Sequence, residues 1–316
     1  MKQNIKLVLP LLALEAASII QAAIPDVAAH PKANAPYFLY FLGAGCVVYV
    51  ISLLLGIWKK SLQESIAYKS NFIVGVIVFL TILNLLTAKT AVLPVLYFPT
   101  LDRIFGALVE ERQFLWKCVL YSGRLLGWGV ILGAIAGIAT GIGIGFNKHV
   151  SYWVQPLIRV LGPIPSTAWI PIVLVAFPDT VSASAFLIGL AVWFPTTVMT
   201  SSGIANVQNS YFEVSATLGA GYFYRIFKVG VPAAMPHIFL GLFNGTCSSF
   251  ITLMTAEMIG AKYGIGWYVN WQKEMMSYAN VYAGLIVIAV LFSILMTLLF
   301  RVRERVLIWQ KGVIKW

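Results

Sequence analysis

The sequence is poor in charge. Only 10% of its 316 residues are Asp, Glu, Lys or Arg, whereas 60% are hydrophobic. A soluble domain carries about 25% charged residues, so lipid rather than water is the expected main solvent. Acids are scarcer than bases, 11 against 22, and the positive excess raises nucleic-acid binding as an option. Such binding needs basic and aromatic residues clustered on one folded surface, but here the cations are dispersed between long apolar runs. Three cysteines, Cys46, Cys118 and Cys247, lie far apart with no C-x-x-C pair. That excludes a disulfide scaffold or a cysteine zinc site and leaves them as small packing residues. His30, His149 and His237 fall in predicted boundary or loop regions, and no nucleophile–histidine–acid set accompanies them. A Walker A sequence, GxxxxGK[ST], is absent too, so the chain is not expected to bind ATP through a phosphate loop.

What is present is a series of greasy runs. A membrane helix needs about 20 mostly apolar residues to cross roughly 30 Å of hydrocarbon. Eight runs qualify, at about 5–24, 37–57, 71–93, 121–146, 156–177, 181–204, 234–259 and 280–300, with prolines cutting the fifth and sixth. The first follows Lys2 and Lys6 and has the look of a secretory signal. Glu15 interrupts it, however, and it exceeds the apolar core of about 7–15 residues typical of a cleaved signal, so an uncleaved helix is expected. With the N-terminus in the cytoplasm and the runs alternating, the inner segments collect Lys2, Lys6, Lys59, Lys60, Lys69, Lys148, Arg225, Lys228, Arg301, Arg303, Arg305, Lys311 and Lys315. The outer segments hold fewer cations, Lys32 among them, and Asp26, Asp102, Glu110, Glu111, Asp179 and Glu274 offset these. This Lys/Arg bias orients the chain with both termini cytoplasmic.

One inner segment is unusual. In "YFEVSATLGAGYFYRIFKVGVPAAMPHIFLGL", Tyr211 to Leu242, Ser210 and Glu213 have capping-box spacing, predicting a helix that begins near Ser210. Gly219-Ala220-Gly221 supplies a turn. Tyr222 to Val229 offers a second short helix, which Gly230 and Pro232 are expected to stop. Two readings stay open on these residues alone: a docking patch for another protein, or an amphipathic loop lying on headgroups.

The spacing of Glu213, Gly219, Val229 and Pro232 resembles the EAA loop of permease subunits of binding-protein-dependent ABC importers, which reads E-A-A, three residues, G, nine residues, I-x-L-P. Here Val214 and Ser215 replace the two alanines, and Val229 and Val231 replace Ile and Leu. "GPIPSTAWIPIVLVAF" (Gly162 to Phe177), "FPTTVMTSSGIANV" (Phe194 to Val207), "TAEMIGAKYGIGW" (Thr255 to Trp267) and "RVRERVLIWQ" (Arg301 to Gln310) follow one another as in the nitrate/sulfonate/taurine branch. Phe177-Pro178 stands where family members usually carry Gly, and Met296 and Thr297 stand near a position often occupied by Asp.

The resemblance implies an all-α polytopic membrane protein. A six-helix type I importer permease core would occupy 71–316, with two additional N-terminal transmembrane helices over 1–70. It implies a coupling loop at about 205–233 in which Glu213, Gly219, Ala220, Gly221 and Pro232 engage a separate ATPase. It also implies a second copy of the permease, two cytoplasmic ATP-binding subunits, an extracytoplasmic binding protein and an inner-membrane location. ATP and Mg would be held by the partner, with no cofactor on this chain. The branch points to a small organic or inorganic anion such as a sulfonate, taurine or nitrate, with a heterocyclic vitamin precursor as the alternative cargo.

Gly133, Gly137, Gly141 and Gly145 recur every four residues and predict close helix packing on one face. Their dinucleotide-loop look is excluded because they lie inside a span rather than after a strand. Pro163, Pro165 and Pro171 interrupt the fifth span, and irregular backbone at membrane depth is tolerated beside a cavity. Ser166, Thr167 and Trp169, facing Asn244, Ser248 and Ser249, are therefore candidate pathway residues, unless the prolines only bend a packed helix. Glu257, near the outer end of the seventh span, is either a pathway residue or a structural carboxylate paired with Lys262. An ATP-independent secondary transporter is the competing class. It would show internal repeats or several intramembrane acids, whereas no clear repeat is found and only Glu15 and Glu257 fall in spans.

Overall fold

The computed structural model describes residues 2–28, 31 and 33–309. His30, Lys32, Lys311 and Lys315 lie outside the described residues. Among those described, every regular element is helical. This follows from the composition, since in a bilayer a helix satisfies its backbone groups internally and an open strand does not. The chain forms two compact units, residues 1–114 with 271–285 and residues 115–270 with 286–316.

The first unit contains α1 (Lys2–Ala23), α2 (Tyr37–Trp58), α3 (Lys60–Asn84, continued by a π-helical turn Leu85–Lys89) and α4 (Leu101–Glu110). A single extended residue, Lys59 (φ −130°, ψ 99°), separates α2 from α3, so the third helix starts well before the expected residue 71. Leu14 and Ala17 of α1, Phe38 and Leu42 of α2, Ile77 of α3 and Leu101 and Ile104 of α4 form its core. Above the core lies a polar knot. Asp102 accepts from the Phe38 N–H (2.8 Å) and from Gln21 Nε2 (3.0 Å), while Asn84 Nδ2 donates to Gln21 Oε1 (2.6 Å). Lys89 pairs with Asp26 (2.7 Å) and donates to the carbonyls of Gln21 and Ile24. Burial pushes the Asp102 carboxyl above the usual carboxylate range, and the Phe38 N–H opposes that rise.

The second unit is built on α5 (Arg112–Phe146), α6 (Lys148–Leu161), a 3₁₀ turn (Ser166–Trp169), α7 (Ile170–Ala176), α8 (Thr180–Ala205), α9 (Asn209–Thr217), α10 (Tyr222–Tyr224), α11 (Val231–Gly260), the start of α12 (Ile265–Glu274) and most of α13 (Tyr278–Val306). The glycine positions fix the packing. A Cβ on Gly133 would meet Val192 and the Gly189 carbonyl, one on Gly137 would meet Thr196, one on Gly141 Thr200 and one on Gly145 Ile204. Contacts that climb together in number mean that α5 and α8 run parallel. The chain must therefore recross between Phe146 and Thr180, and α6 with α7 makes that crossing as a broken pair bent by 88°. With α11 the order reverses, because Gly203 meets His237, Gly241 meets Met199, and Gly245 meets Val192. α8 and α11 are thus antiparallel, and the segment joining them sits at the end of the unit where α5 terminates.

Among the described residues, seven helices are long and apolar enough to cross a bilayer, and the broken pair makes eight. The fifth crossing departs from the expected 156–177 by starting at Lys148, where Asn147 caps α6 by accepting from the His149 N–H (2.9 Å). α5 starts at Arg112 rather than near 121. The Ser210 capping box is not formed: Gln208 precedes α9 and Ser210 lies within its first turn, without a side-chain cap. Nor do Gly230 and Pro232 stop a second short helix. A π-helical stretch, Arg225–Gly230, carries α10 directly into α11. Pro232 directly follows this π-helical turn, inside one continuous helical run, Tyr222–Gly260.

Candidate coupling loop and translocation chamber

The loop between α8 and α11 is shaped by one glycine. α9 ends at Thr217, and Gly219 takes a left-handed conformation at φ +82°, which costs a residue with a Cβ roughly 1–2 kcal/mol. The Ala220 N–H donates to the Ser215 carbonyl (3.0 Å) and the Gly219 N–H to that of Ala216 (3.0 Å), the paired bonds of a Schellman cap. The cap turns the chain sharply and leaves Leu218, at 82% exposure, at its tip. Tyr211, Val214, Phe223 and Phe227 are also exposed, as is Glu213. The expected coupling residues Glu213, Gly219, Ala220 and Gly221 are therefore gathered on one protruding hairpin, with Pro232 behind it at the start of α11. Under the hairpin is a cavity of about 310 Å³ lined by Phe146, Asn209, Phe212, Tyr222 and Arg225, among others. The Arg225 Nε is buried there without a hydrogen-bond partner.

A larger cavity of about 570 Å³ lies where the α6–α7 break faces α8 and α11. Ser166, Thr167, Trp169 and Ser248 line it as the sequence suggests, whereas Asn244 and Glu257 are not in its wall. Sequence reasoning missed the α8 contribution, which includes Phe186, Trp193 and Phe194, and also missed Ile251 and Thr252 of α11. Gly162 permits the break to approach α8, because a Cβ there would collide with the Phe194 ring. The Trp193 indole N–H donates to Thr140 Oγ1 of α5 (3.1 Å), fixing the ring as a wall. Ser166 and Thr252 share a hydroxyl–hydroxyl bond (2.6 Å). Among the described residues no Lys, Arg, His, Asp or Glu lines this space, so its surface is aromatic and aliphatic with a few hydroxyls.

Glu257 belongs to a separate structure. It is fully buried, and its carboxylate accepts from Ser122 Oγ of α5 (2.6 Å) and from the Gly266 N–H (2.8 Å). Ser122 Oγ in turn accepts from the Ile265 N–H (2.9 Å). Gly264, at φ +128°, lies so close that a Cβ would sit 2.6 Å from both carboxylate oxygens. The 261–264 hairpin is thereby folded back on α11 and α5 through one carboxylate, with Ser122 and Gly266 in place of the Lys262 pairing read from sequence.

Comparison with known proteins agrees with this architecture. The chain is 31% identical over 191 residues to the nitrate import permease protein NrtB of Leptolyngbya laminosa, covering 59% of this chain and 68% of that one. It is 28% identical over 199 residues to the taurine transport system permease protein TauC of Escherichia coli, covering 63% and 72%. Among solved structures, the inward-facing MetNI methionine ABC transporter superposes with a TM-score of 0.54 at 15% identity, over 62% of this chain and 98% of that one, which supports the fold. Residues 129–307, more than half of the chain and the whole of the loop and chamber, match a family model, and the chain belongs to that family, the binding-protein-dependent transport system inner membrane components.

Proposed function

We propose that this chain forms the translocation path for a small anion, sulfonate-, taurine- or nitrate-like, and is driven by a separate ATPase that docks on the hairpin around Gly219. The observation that carries the reading is the exposed, glycine-capped helix α9 at the common end of α5 and α8. An apolar tip held out by a Schellman turn, with Glu213 exposed beside it, fits a cleft on another protein. On this reading the hairpin is cytoplasmic, as are both termini, and the membrane is the inner membrane. Two copies of the chain pair with two ATP-binding subunits that hold ATP and Mg, and an extracytoplasmic protein delivers the cargo. ATP binding favours one arrangement of the ATPase pair, and the hairpin passes that preference to the spans as a shift between two access states.

A second cargo is favoured by the chamber itself. Trp169 and Trp193 give it flat apolar walls and, among the described residues, no cation lines it, which suits a planar heterocycle better than a bare inorganic ion. The docking reading is tested by Gly219→Asp. The tagged wild-type permease should retain its ATPase through purification in mild detergent. The variant should lose most of it, at least tenfold, while remaining monodisperse itself. Full retention together with normal transport would contradict the role given to the turn.

A further inference from the structure

We propose that Phe146, the last residue of α5, is the joint through which the hairpin moves the spans; this rests on the coupling reading above. Three pieces of the segment between α8 and α11 converge on this one side chain and its carbonyl. The Phe212 ring of α9 meets the Phe146 ring edge-on, with centroids 5.8 Å apart and planes at 87°. The Tyr222 hydroxyl of α10 donates to the Phe146 carbonyl (3.2 Å). The ring also presses on the backbone of the π-helical turn, so that a Cβ on Gly230 would collide with its Cζ. Phe146 also packs against the buried cluster of Ile204 of α8 with Ala234 and Ile238 of α11.

Below that point α5 and α8 cannot slide independently, because the glycine face locks them backbone to backbone. A displacement of α9 therefore reaches α5 and α8 at Phe146 and continues down both as one body. Close-packed interiors transmit such a shift rather than absorb it. The π-helical turn Arg225–Gly230 is the adjoining irregularity, and π-helical turns commonly mark functional sites. Gly230 is needed there because any larger residue would drive the ring out of its seat.

Phe146 is a positioning residue, so its test must separate coupling from folding and docking. The complex of permease, ATPase and binding protein is reconstituted in vesicles, and cargo uptake and ATP hydrolysis are measured together. Phe146→Ala is expected to leave ATPase copurification unchanged and to lower the cargo moved per ATP at least tenfold. Phe146→Met, an unbranched side chain that refills the gap, is expected to restore most of that ratio. Because Phe146→Ala removes core packing, Phe212→Ala provides an independent route from the half-buried hairpin side. It should give the same drop in ratio, and the double variant should be no worse than either single one. Normal cargo per ATP in Phe212→Ala would overturn the proposal. So would a loss of ratio that follows loss of bound ATPase, since Phe212 would then be a docking contact rather than a lever. If the wild-type complex binds no ATPase at all, the coupling reading fails first, and the two failures are thus distinct.

Discussion

Replacing Gly133 by leucine is expected to abolish the folded protein. At this position a Cβ alone would meet the Gly189 carbonyl and lie 2.8 Å from Val192 Cβ, so backbone rather than a flexible side chain stands in the way. Overpacking of a close interface costs roughly 1–3 kcal/mol and sometimes more. Helices in lipid have no hydrophobic drive to offset that, since the tails are as apolar as the side chains. Gly127, on the same helix, has nothing within 4 Å of its would-be Cβ and serves as the matched control. The yield of monodisperse protein after detergent extraction should fall to background for Gly133→Leu and stay near wild type for Gly127→Leu. Equal yields would remove the parallel α5–α8 contact, and with it the argument that α6 and α7 recross the membrane.

Glu257→Ala is the second change with a large expected effect. It removes the acceptor for the Ser122 hydroxyl and for the Gly266 N–H. Leaving a buried donor unsatisfied costs about 1–3 kcal/mol each, so a loss of a few kcal/mol is expected, enough to lower thermal stability by several degrees or more. Glu257→Gln keeps one acceptor but turns an amide donor toward the other donor, and should fall between wild type and alanine. The 261–264 hairpin should become the first site of proteolysis in the alanine variant, because the carboxylate is what folds it back. An alanine variant with unchanged melting and unchanged cleavage would show that the hairpin is held by other contacts.

How much of this was legible beforehand depended on whether the signal was local. The four-residue recurrence of Gly133, Gly137, Gly141 and Gly145 announces a packing face, but nothing in "ASAFLIGLAVWFPTTVMT" announces that α8 is its partner, since Val192, Thr196 and Thr200 look like ordinary span residues. Gly219 was readable because glycine takes the left-handed turn that ends a helix more readily than any residue with a Cβ. Ser210 misled because helix start signals compete over one or two residues, and the helix begins one residue earlier. The continuation of α10 into α11 was hidden because glycine and proline read as breakers, whereas a π-helical turn absorbs both. The Glu257 contacts could not be read at all. Ser122 is 135 residues away, and the Gly266 bond exists only because Gly264 bends the chain back. The chamber was half legible: the prolines marked the α6–α7 wall, while Trp193 and Phe194 gave no sign that α8 forms the other side.

If the Gly219 hairpin seats in an ATPase subunit, as proposed, its tip lies within reach of that partner. Photocross-linking from its tip tests this most directly. In a background with Cys46, Cys118 and Cys247 replaced, Leu218→Cys is labelled with a benzophenone maleimide and irradiated in native membranes. Val48→Cys, exposed on α2 at 67%, is treated in parallel as the lipid-facing control. Adducts between Leu218→Cys and a Walker-motif ATPase, with none from Val48→Cys, are the predicted result. An intact, ATPase-bound complex that yields only lipid adducts from Leu218→Cys would contradict it.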